Sequence, residues 1–223
     1  MRQVQGVPDM RQAARNEDSD NARIVLGLLE SVERDGAQSQ RKLASDLGIA
    51  LGLVNAYLKR CVKKGLVKVG QAPARRYAYY LTPHGFAEKS RLTVEYLSAS
   101  FSFFRRARED CSSVLGAARE QGWNRVVLLG VSDLAEVAII CALEHGMTVV
   151  AVVDATSSRM RFVGAPVVKT LDAVGTEFDV ALVTDLQVPR ALLDAANAHV
   201  GADRVLVPAM LGVRAETSAG RAS

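Results

Sequence analysis

The sequence predicts an α+β winged helix-turn-helix followed by a small α/β Rossmann-like parallel-sheet domain. Three observations lead there. Residues 20–82 read as helix, short helix, basic helix and hairpin; Val- and Leu-rich strands alternate with helices after Arg125; and charge is divided unequally between the halves. Residues 1–124 carry 20 Lys/Arg against 13 Asp/Glu, and residues 125–223 carry 8 against 11, giving +7 and −3. Within 37–76, Arg41, Lys42, Lys59, Arg60, Lys63, Lys64, Lys68, Arg75 and Arg76 face a single acid, Asp46. This bias implies a polyanionic partner for the first half alone.

Asp20 is positioned to cap a first helix over Ala22–Glu33, with Ile24, Leu26, Leu28 and Leu29 on its apolar face. Asp35-Gly36 ends it. Ser39 suits the N-cap of a two-turn helix, Gln40–Leu47, which Gly48 stops. A third helix, Leu51–Lys64, ends at Gly65, and the spacing of Leu51, Val54, Leu58 and Val62 predicts its buried stripe. Leu66–Val69, a turn-rich Gly70–Ala74 and the Tyr-rich Arg76–Leu81 form a hairpin, in which Tyr77, Tyr79 and Tyr80 are expected to pack. Thr82-Pro83 then restarts helix, which persists to about Gln121. Val94, Leu97, Phe101, Phe104, Cys111, Leu115 and Ala118 fall on a heptad seam along it, interrupted by Arg108; packing against the chain's own domains is one reading, and a homodimer is the preferred one.

Beyond Arg125, the strands Val126–Leu129, Thr148–Val153, Val180–Val183 and Arg204–Val207 alternate with helices over Leu134–His145 and Arg190–Val200. Continuous apolar strands separated by helices indicate a parallel sheet covered on both faces. The expected organisation is an arm over 1–19, the winged domain over 20–82, a long helix over 83–122, the Rossmann-like domain over 123–212 and a tail over 213–223. The polar start of the chain does not read as a signal peptide, and no apolar run reaches the roughly 20 residues needed to span a bilayer. Three widely spaced cysteines fit reduced thiols better than a disulfide framework or metal site. Cytoplasmic localisation and no membrane partner are therefore expected.

The order of the first half gives a mechanism for binding double-stranded DNA. The short helix braces Leu51–Lys64 so that its outer face enters the major groove. Ala50, Gly52 and Asn55 are small enough for close approach, and Asn55 suits an adenine edge. Lys59, Arg60 and Lys63 suit phosphates, while Arg75 and Arg76 at the hairpin tip suit backbone or minor groove. Gln40 and Arg41, at the start of the brace helix, complete the expected DNA-binding set. The segments QRKLASDLGIALGLVNAYLKRCVKKGLVKV and YAYYLTPHGFAEKSRLTVEYL resemble MarR-type winged-helix regulators, particularly a subgroup associated with exopolysaccharide and lipopolysaccharide synthesis genes. The resemblance covers roughly residues 20–107. It implies DNA-bound dimers that control transcription of surface-polysaccharide genes.

In the second half, Gly130-Val131-Ser132-Asp133-Leu134-Ala135 occupies the place of a dinucleotide fingerprint, with G-x-S-x-x-A for G-x-G-x-x-G. Gly130 supplies the tight turn, Ser132 a hydroxyl and Ala135 close packing. Asp133 disfavours an anion there, or caps the helix. Asp154 stands 24 residues after Gly130, where an acid grips ribose hydroxyls, and Thr184 and Asp185 end a later strand on the same rim. The candidate ligand site is thus Gly130, Ser132, Asp133, Asp154, Thr184 and Asp185. The stretch from Val126 to Val168, with Gly164-Ala165-Pro166-Val167, resembles CoA-binding and NADH-sensing repressor domains. It is also similar to the N-terminal domain of sugar acetyltransferases that hold UDP-sugars. A nucleotide sugar or a dinucleotide is the implied ligand, although no cofactor is fixed by the residues themselves.

The leading expectation is a ligand-responsive transcription factor of polysaccharide genes. The alternatives are an NADH-sensing redox repressor and a regulator whose second domain only dimerises. His84, His145 and His199 are scattered, and no Ser/His/Asp set, Cys/His pair or metal spacing is evident, so no enzyme is expected.

Overall fold

A computed structural model describes the backbone of residues 10–72 and 76–213 and the side chains of 20–70 and 77–213. The chain forms two compact units, residues 1–100 and 101–223.

In the first unit, α1 (Met10–Arg34) leads to α2 (Gln40–Leu47), α3 (Leu51–Lys63) and the hairpin strands β1 (Val67–Ala72) and β2 (Arg76–Leu81). The helix α1 begins well before Ala22, so Asp20 lies inside it and the expected Asp20 cap is corrected. Ser39 caps α2 as its residue type suggests, accepting a hydrogen bond from the Lys42 amide at 3.2 Å. The α1–α2 turn runs beside the hairpin, where Tyr79 N donates to Gly36 O at 2.8 Å. A Cβ on Gly36 would collide with the Tyr79 carbonyl, so this approach requires glycine. Thr82 closes the unit. Its hydroxyl donates to Gly65 O at 2.6 Å and accepts from Gly85 N at 3.0 Å, capping α4 (Pro83–Glu120).

The core of this unit joins Leu26, Leu28, Leu29 and Val32 of α1 to Leu43 of α2, Tyr79 of β2 and four residues of α3. Those four are Val54, Tyr57, Leu58 and Cys61, at spacings of three, one and three. The expected stripe is therefore corrected at both ends. Leu51 and Val62 are 43% and 38% exposed, because they lie on the flank of the helix whose centre is set by Val54, Tyr57, Leu58 and Cys61. Tyr57 also anchors α3 by donating its hydroxyl hydrogen bond to Asn21 Oδ1 of α1. The tyrosines of β2 divide likewise: Tyr79 is buried, whereas Tyr77 and Tyr80 are 65% and 57% exposed.

The second unit contains a six-stranded mixed sheet with helices. Its elements are β3 (Arg125–Leu129), α5 (Asp133–Glu144), β4 (Thr148–Val153), β5 (Arg161–Phe162), β6 (Ala165–Val168), β7 (Val180–Val183), α6 (Pro189–Val200) and β8 (Val205–Leu206). The strand order is β5-β6-β4-β3-β7-β8. All neighbours are parallel except the β5–β6 hairpin, a pair too short for periodicity to predict. The chain leaves β3 toward β4 and β6, then returns across the sheet to β7 and β8. The direction of travel thus reverses between β3 and β7, parallel neighbours whose C-terminal ends lie side by side.

Two apolar layers enclose this sheet. One gathers Val126, Leu128, Val152, Val180 and Leu182 with Leu134, Ala138 and Cys141 of α5 and Ala107, Cys111, Leu115 and Ala118 of α4. The other places Leu193 and Ala196 of α6 on Val127, Leu129, Ala181 and Val183. The α4 seam is therefore divided. Its C-terminal members are core, while Val94, Leu97, Phe101 and Phe104 are between 42% and 64% exposed.

All three cysteines are buried and free. Burial raises the Cys61 thiol despite the cations Lys64 and Arg60. Burial, with smaller effects from Cys141 and Asp110, pushes Cys111 up to about 12. Cys141 is also raised, first by burial and then by Glu144. Because the thiolate is the reactive form, native protein at neutral pH should resist a disulfide-exchange reagent and release its thiols only on unfolding. Rapid labelling of native protein would contradict this packing.

Candidate nucleic-acid interface

Burial of one side of α3 leaves the opposite side outward. Gly52, Leu53, Asn55, Ala56, Lys59, Arg60 and Lys63 are all exposed there. At 100° per residue, Gly52, Ala56, Lys59 and Lys63 form the central row, with Leu53 and Arg60 on one flank and Asn55 on the other. Small residues occupy the first half of this face and cations the second. Arg60 lies over the Tyr57 ring, 5.2 Å from its centroid, which restrains the guanidinium close to the helix.

The remaining expected contacts separate. Arg41 is exposed on α2. Gln40 is half-buried, and its Nε2 donates to the Tyr79 hydroxyl at 2.9 Å, so it braces α2 against the hairpin. Arg76 opens β2, but its side chain, like all of Arg75, lies outside the described residues. The DNA-binding set expected from the sequence omits Lys42, Leu53 and Ala56, and it leaves Tyr77 and Tyr80, which are exposed, to packing of the hairpin. Lys42 and Tyr77 line an open cleft of about 640 Å³, together with Asp35, Ser39, Gln40 and Tyr79, between the start of α2 and β2. The signal for Leu53 and Ala56 was their position on the helix away from Val54 and Leu58. An aliphatic bias toward core obscured it.

The second set of expected residues does gather at the C-terminal rim of the larger sheet, but most of its members are engaged in holding that rim together. Gly130 follows β3 with φ 105°, and a Cβ there would lie 2.6 Å from Asp185 Cβ. The Ser132 hydroxyl donates to Thr184 O at 2.6 Å and accepts from Ala135 N at 3.2 Å. Ser132 is therefore the cap of α5, which corrects the alternative that Asp133 caps it. Asp133 is exposed. Thr184, with no exposed surface, turns its hydroxyl to Gly130 O at 2.7 Å and Leu129 O at 3.1 Å. Asp185 Oδ1 accepts from the Gln187 and Val188 amides, both at 2.7 Å.

Asp154 ties two loops. Its Oδ2 accepts from Val131 N at 3.0 Å, and its Oδ1 accepts from the Thr156 amide and hydroxyl at 2.8 Å and from Ser157 N at 2.9 Å. Burial works to raise its pKa, but these hydrogen bonds together outweigh burial and lower it. The carboxylate is thus held ionised as a loop anchor. The rim thus carries three carboxylates, Asp133, Asp154 and Asp185, and a cation, Lys169, whose ammonium donates to Ala155 O and Ser157 O.

The histidines are less isolated than expected. His145, at the end of α5, shares a 2.7 Å hydrogen bond with Ser112 of α4, and His199 stands 3.6 Å from Asp172. Among the described residues no cluster of His, Cys, Asp and Glu suits a metal ion, and no helix is long and apolar enough to cross a membrane.

Comparison with known proteins agrees with the first unit. Residues 22–68 match a family model described as winged helix-turn-helix DNA-binding. No curated protein matches the chain. Among solved structures, the chain is similar to the PcaV transcriptional regulator from Streptomyces coelicolor in complex with its natural ligand. The identity is 18%, coverage is 47% of this chain and 84% of that one, and the TM-score is 0.35. It is also similar to human N-acetylserotonin methyltransferase in complex with SAM, at 14% identity, 81% and 72% coverage and a TM-score of 0.28. A third is a riboflavin-derivative dimethyltransferase from Streptomyces davawensis, at 11% identity, 91% and 66% coverage and a TM-score of 0.23. The expectation that the chain is no enzyme is corrected: scattered histidines and missing motifs do not exclude catalysis, and two of these similar structures are methyltransferases. What the family match and the exposed face of α3 fix together is narrower, a winged helix-turn-helix DNA-binding domain over residues 22–68.

Proposed function

We propose that the chain is a MarR-like regulator of transcription that acts in the cytoplasm as a homodimer on double-stranded DNA. The observation that carries this reading is the division of α3 into a buried stripe and an exposed face bearing Asn55, Lys59, Arg60 and Lys63. Gly52 permits close approach, Asn55 pairs with an adenine edge, and the cations meet phosphates beside the groove. Arg41 joins them from α2, and Arg75 and Arg76 from the hairpin. Dimerisation draws support from the exposed Val94, Leu97, Phe101 and Phe104 along α4.

For the second unit we propose a Rossmann-like domain over 123–212 that senses a nucleotide-linked metabolite, with nucleotide sugars preferred over NADH. The strand order β6-β4-β3-β7-β8 supports the fold, since it puts the reversal point beside Gly130, Ser132 and Thr184. The exposed Asp133 and the anchored Asp154 and Asp185 favour a hydroxyl-rich ligand. The missing second glycine of the fingerprint and the carboxylate at its centre disfavour the way a dinucleotide seats its pyrophosphate on the first turn of α5, so the preference for a nucleotide sugar rests on its sugar hydroxyls. Regulation of surface-polysaccharide genes follows from the resemblance of residues 20–107 alone. A ligand controls such a dimer only through unequal affinity for two arrangements of the reading helices.

Three outcomes test this reading. Lys59→Ala and Arg60→Ala should weaken binding to every duplex and reduce the slope of log affinity against log salt by about one unit per lost phosphate contact. Unchanged slopes would remove both residues from the interface. Asn55→Ala should relax preference at one base pair by about 1–3 kcal/mol, whereas equal loss on every sequence would refute base reading. Saturating UDP-sugar should raise Tm more than saturating NADH does, because a ligand that binds only the folded state stabilises it by mass action. A rise with NADH alone would favour the redox reading.

A further inference from the structure

The first turn of α3 lacks the usual features of an exposed helix N-terminus. Helices favour Ser, Thr, Asp or Asn at the N-cap, where a side-chain oxygen satisfies a free amide; replacing one with Ala costs about 1 kcal/mol. Here the cap is Ala50, which makes no side-chain capping bond, and Leu51, Gly52 and Leu53 follow. Four successive residues thus carry no side-chain polar atom, and Leu51 and Leu53 are 43% and 48% exposed. Nothing in the unit explains Gly52. Its backbone is not left-handed, and a Cβ there would meet no atom within 4 Å. Glycine inside a helix loses backbone entropy relative to alanine without any packing return.

Gly52 and Ala56 stand one turn apart on the outward row, and Leu53 is the i−3 neighbour of Ala56. The outward row therefore carries little side chain at Gly52 and Ala56, with the exposed Leu53 beside them. Lys59, Arg60 and Lys63 lie further along the same helix, so this apolar stretch sits ahead of a cationic grip. The charge selects a duplex as occupant rather than another apolar surface. Within the major groove, the only apolar group on a base edge is the 5-methyl of thymine.

We infer that Gly52, Leu53 and Ala56 form a thymine-methyl pocket, so the domain prefers thymines where the start of α3 enters the major groove. This rests on the proposed role of α3 in DNA binding and adds the chemistry of the base that is read. No polar atom of the pocket need pair with a base, which is why the uncapped apolar turn is tolerated there. Asn55, on the opposite flank, reads a neighbouring position.

The test removes the methyl from the DNA and leaves the protein intact. The full chain selects its preferred duplex from a library with a randomised centre, and that duplex is remade with uracil replacing thymine one position at a time. Wild-type protein should lose about fourfold in affinity at each contacted thymine, the value of one buried methyl. Leu53→Ala, an exposed position whose truncation leaves the core untouched, should abolish that uracil penalty while retaining the salt dependence of binding. Salt-dependent binding with no uracil penalty anywhere would overturn the pocket and leave the DNA-binding reading standing. A penalty that persists unchanged in both Leu53→Ala and Ala56→Gly would also overturn it. If Leu53→Ala altered oligomeric mass but not DNA affinity, this apolar stretch would belong to a protein contact instead. Failure to recover any duplex in dilute buffer would sink both readings.

Discussion

The account depends on one packing constraint: Val54, Tyr57, Leu58 and Cys61 of α3 are held against α1 and β2. Burying an aliphatic or aromatic side chain contributes about 1.5–3 kcal/mol, so rotating α3 to expose this set would cost several such contributions at once. The hydrogen bond from Tyr57 to Asn21 and the Gln40–Tyr79 contact between α2 and β2 hold the same arrangement from two sides. Once the inner stripe is fixed, the outer face is fixed too. Helical periodicity then places the small residues at the leading end and the cations behind them.

The second unit follows a different logic. Its strand order reverses between β3 and β7, yet the residues around that point are engaged in holding their own loops. Thr184 satisfies carbonyls of the β3 end, Ser132 joins α5 to the β7 end, and Asp154 spans two turns. A rim built this way is pre-organised, and the hydroxyls of Ser132, Thr156 and Thr184 are already engaged within it. The contrast with α3 is chemical: one unit sets its polar groups outward as cations, the other turns them to its own loops.

Much of this was legible because it is local. Ser39 and Thr82 announce caps within three residues of their partners, and the boundaries of α2 and β2 and the long runs of β4 and β7 agree with the expected ranges. The failures are tertiary. Aliphatic identity nominated Leu51 and Val62 for the core, but the position of α1 gave their places to Tyr57 and Cys61. Ser132 and Thr184 are 52 residues apart and Ser112 and His145 are 33 apart, so no window of sequence pairs them. Periodicity puts the α4 seam, Arg108 apart, on one side of the helix, yet Cys111 and Leu115 are buried in the core of the sheet while Val94 and Phe101 are not, because periodicity shows which side is apolar and not what covers it.

Photo-crosslinking tests the central claim most directly. A photoreactive amino acid placed at Ala56, on the outward row of α3, should attach to a mixed-sequence duplex in dilute buffer. The same group at Glu30, exposed on α1, should not. Equal crosslinking at both positions, or attachment from Glu30 alone, would contradict the assignment of the outer face of α3 to the groove.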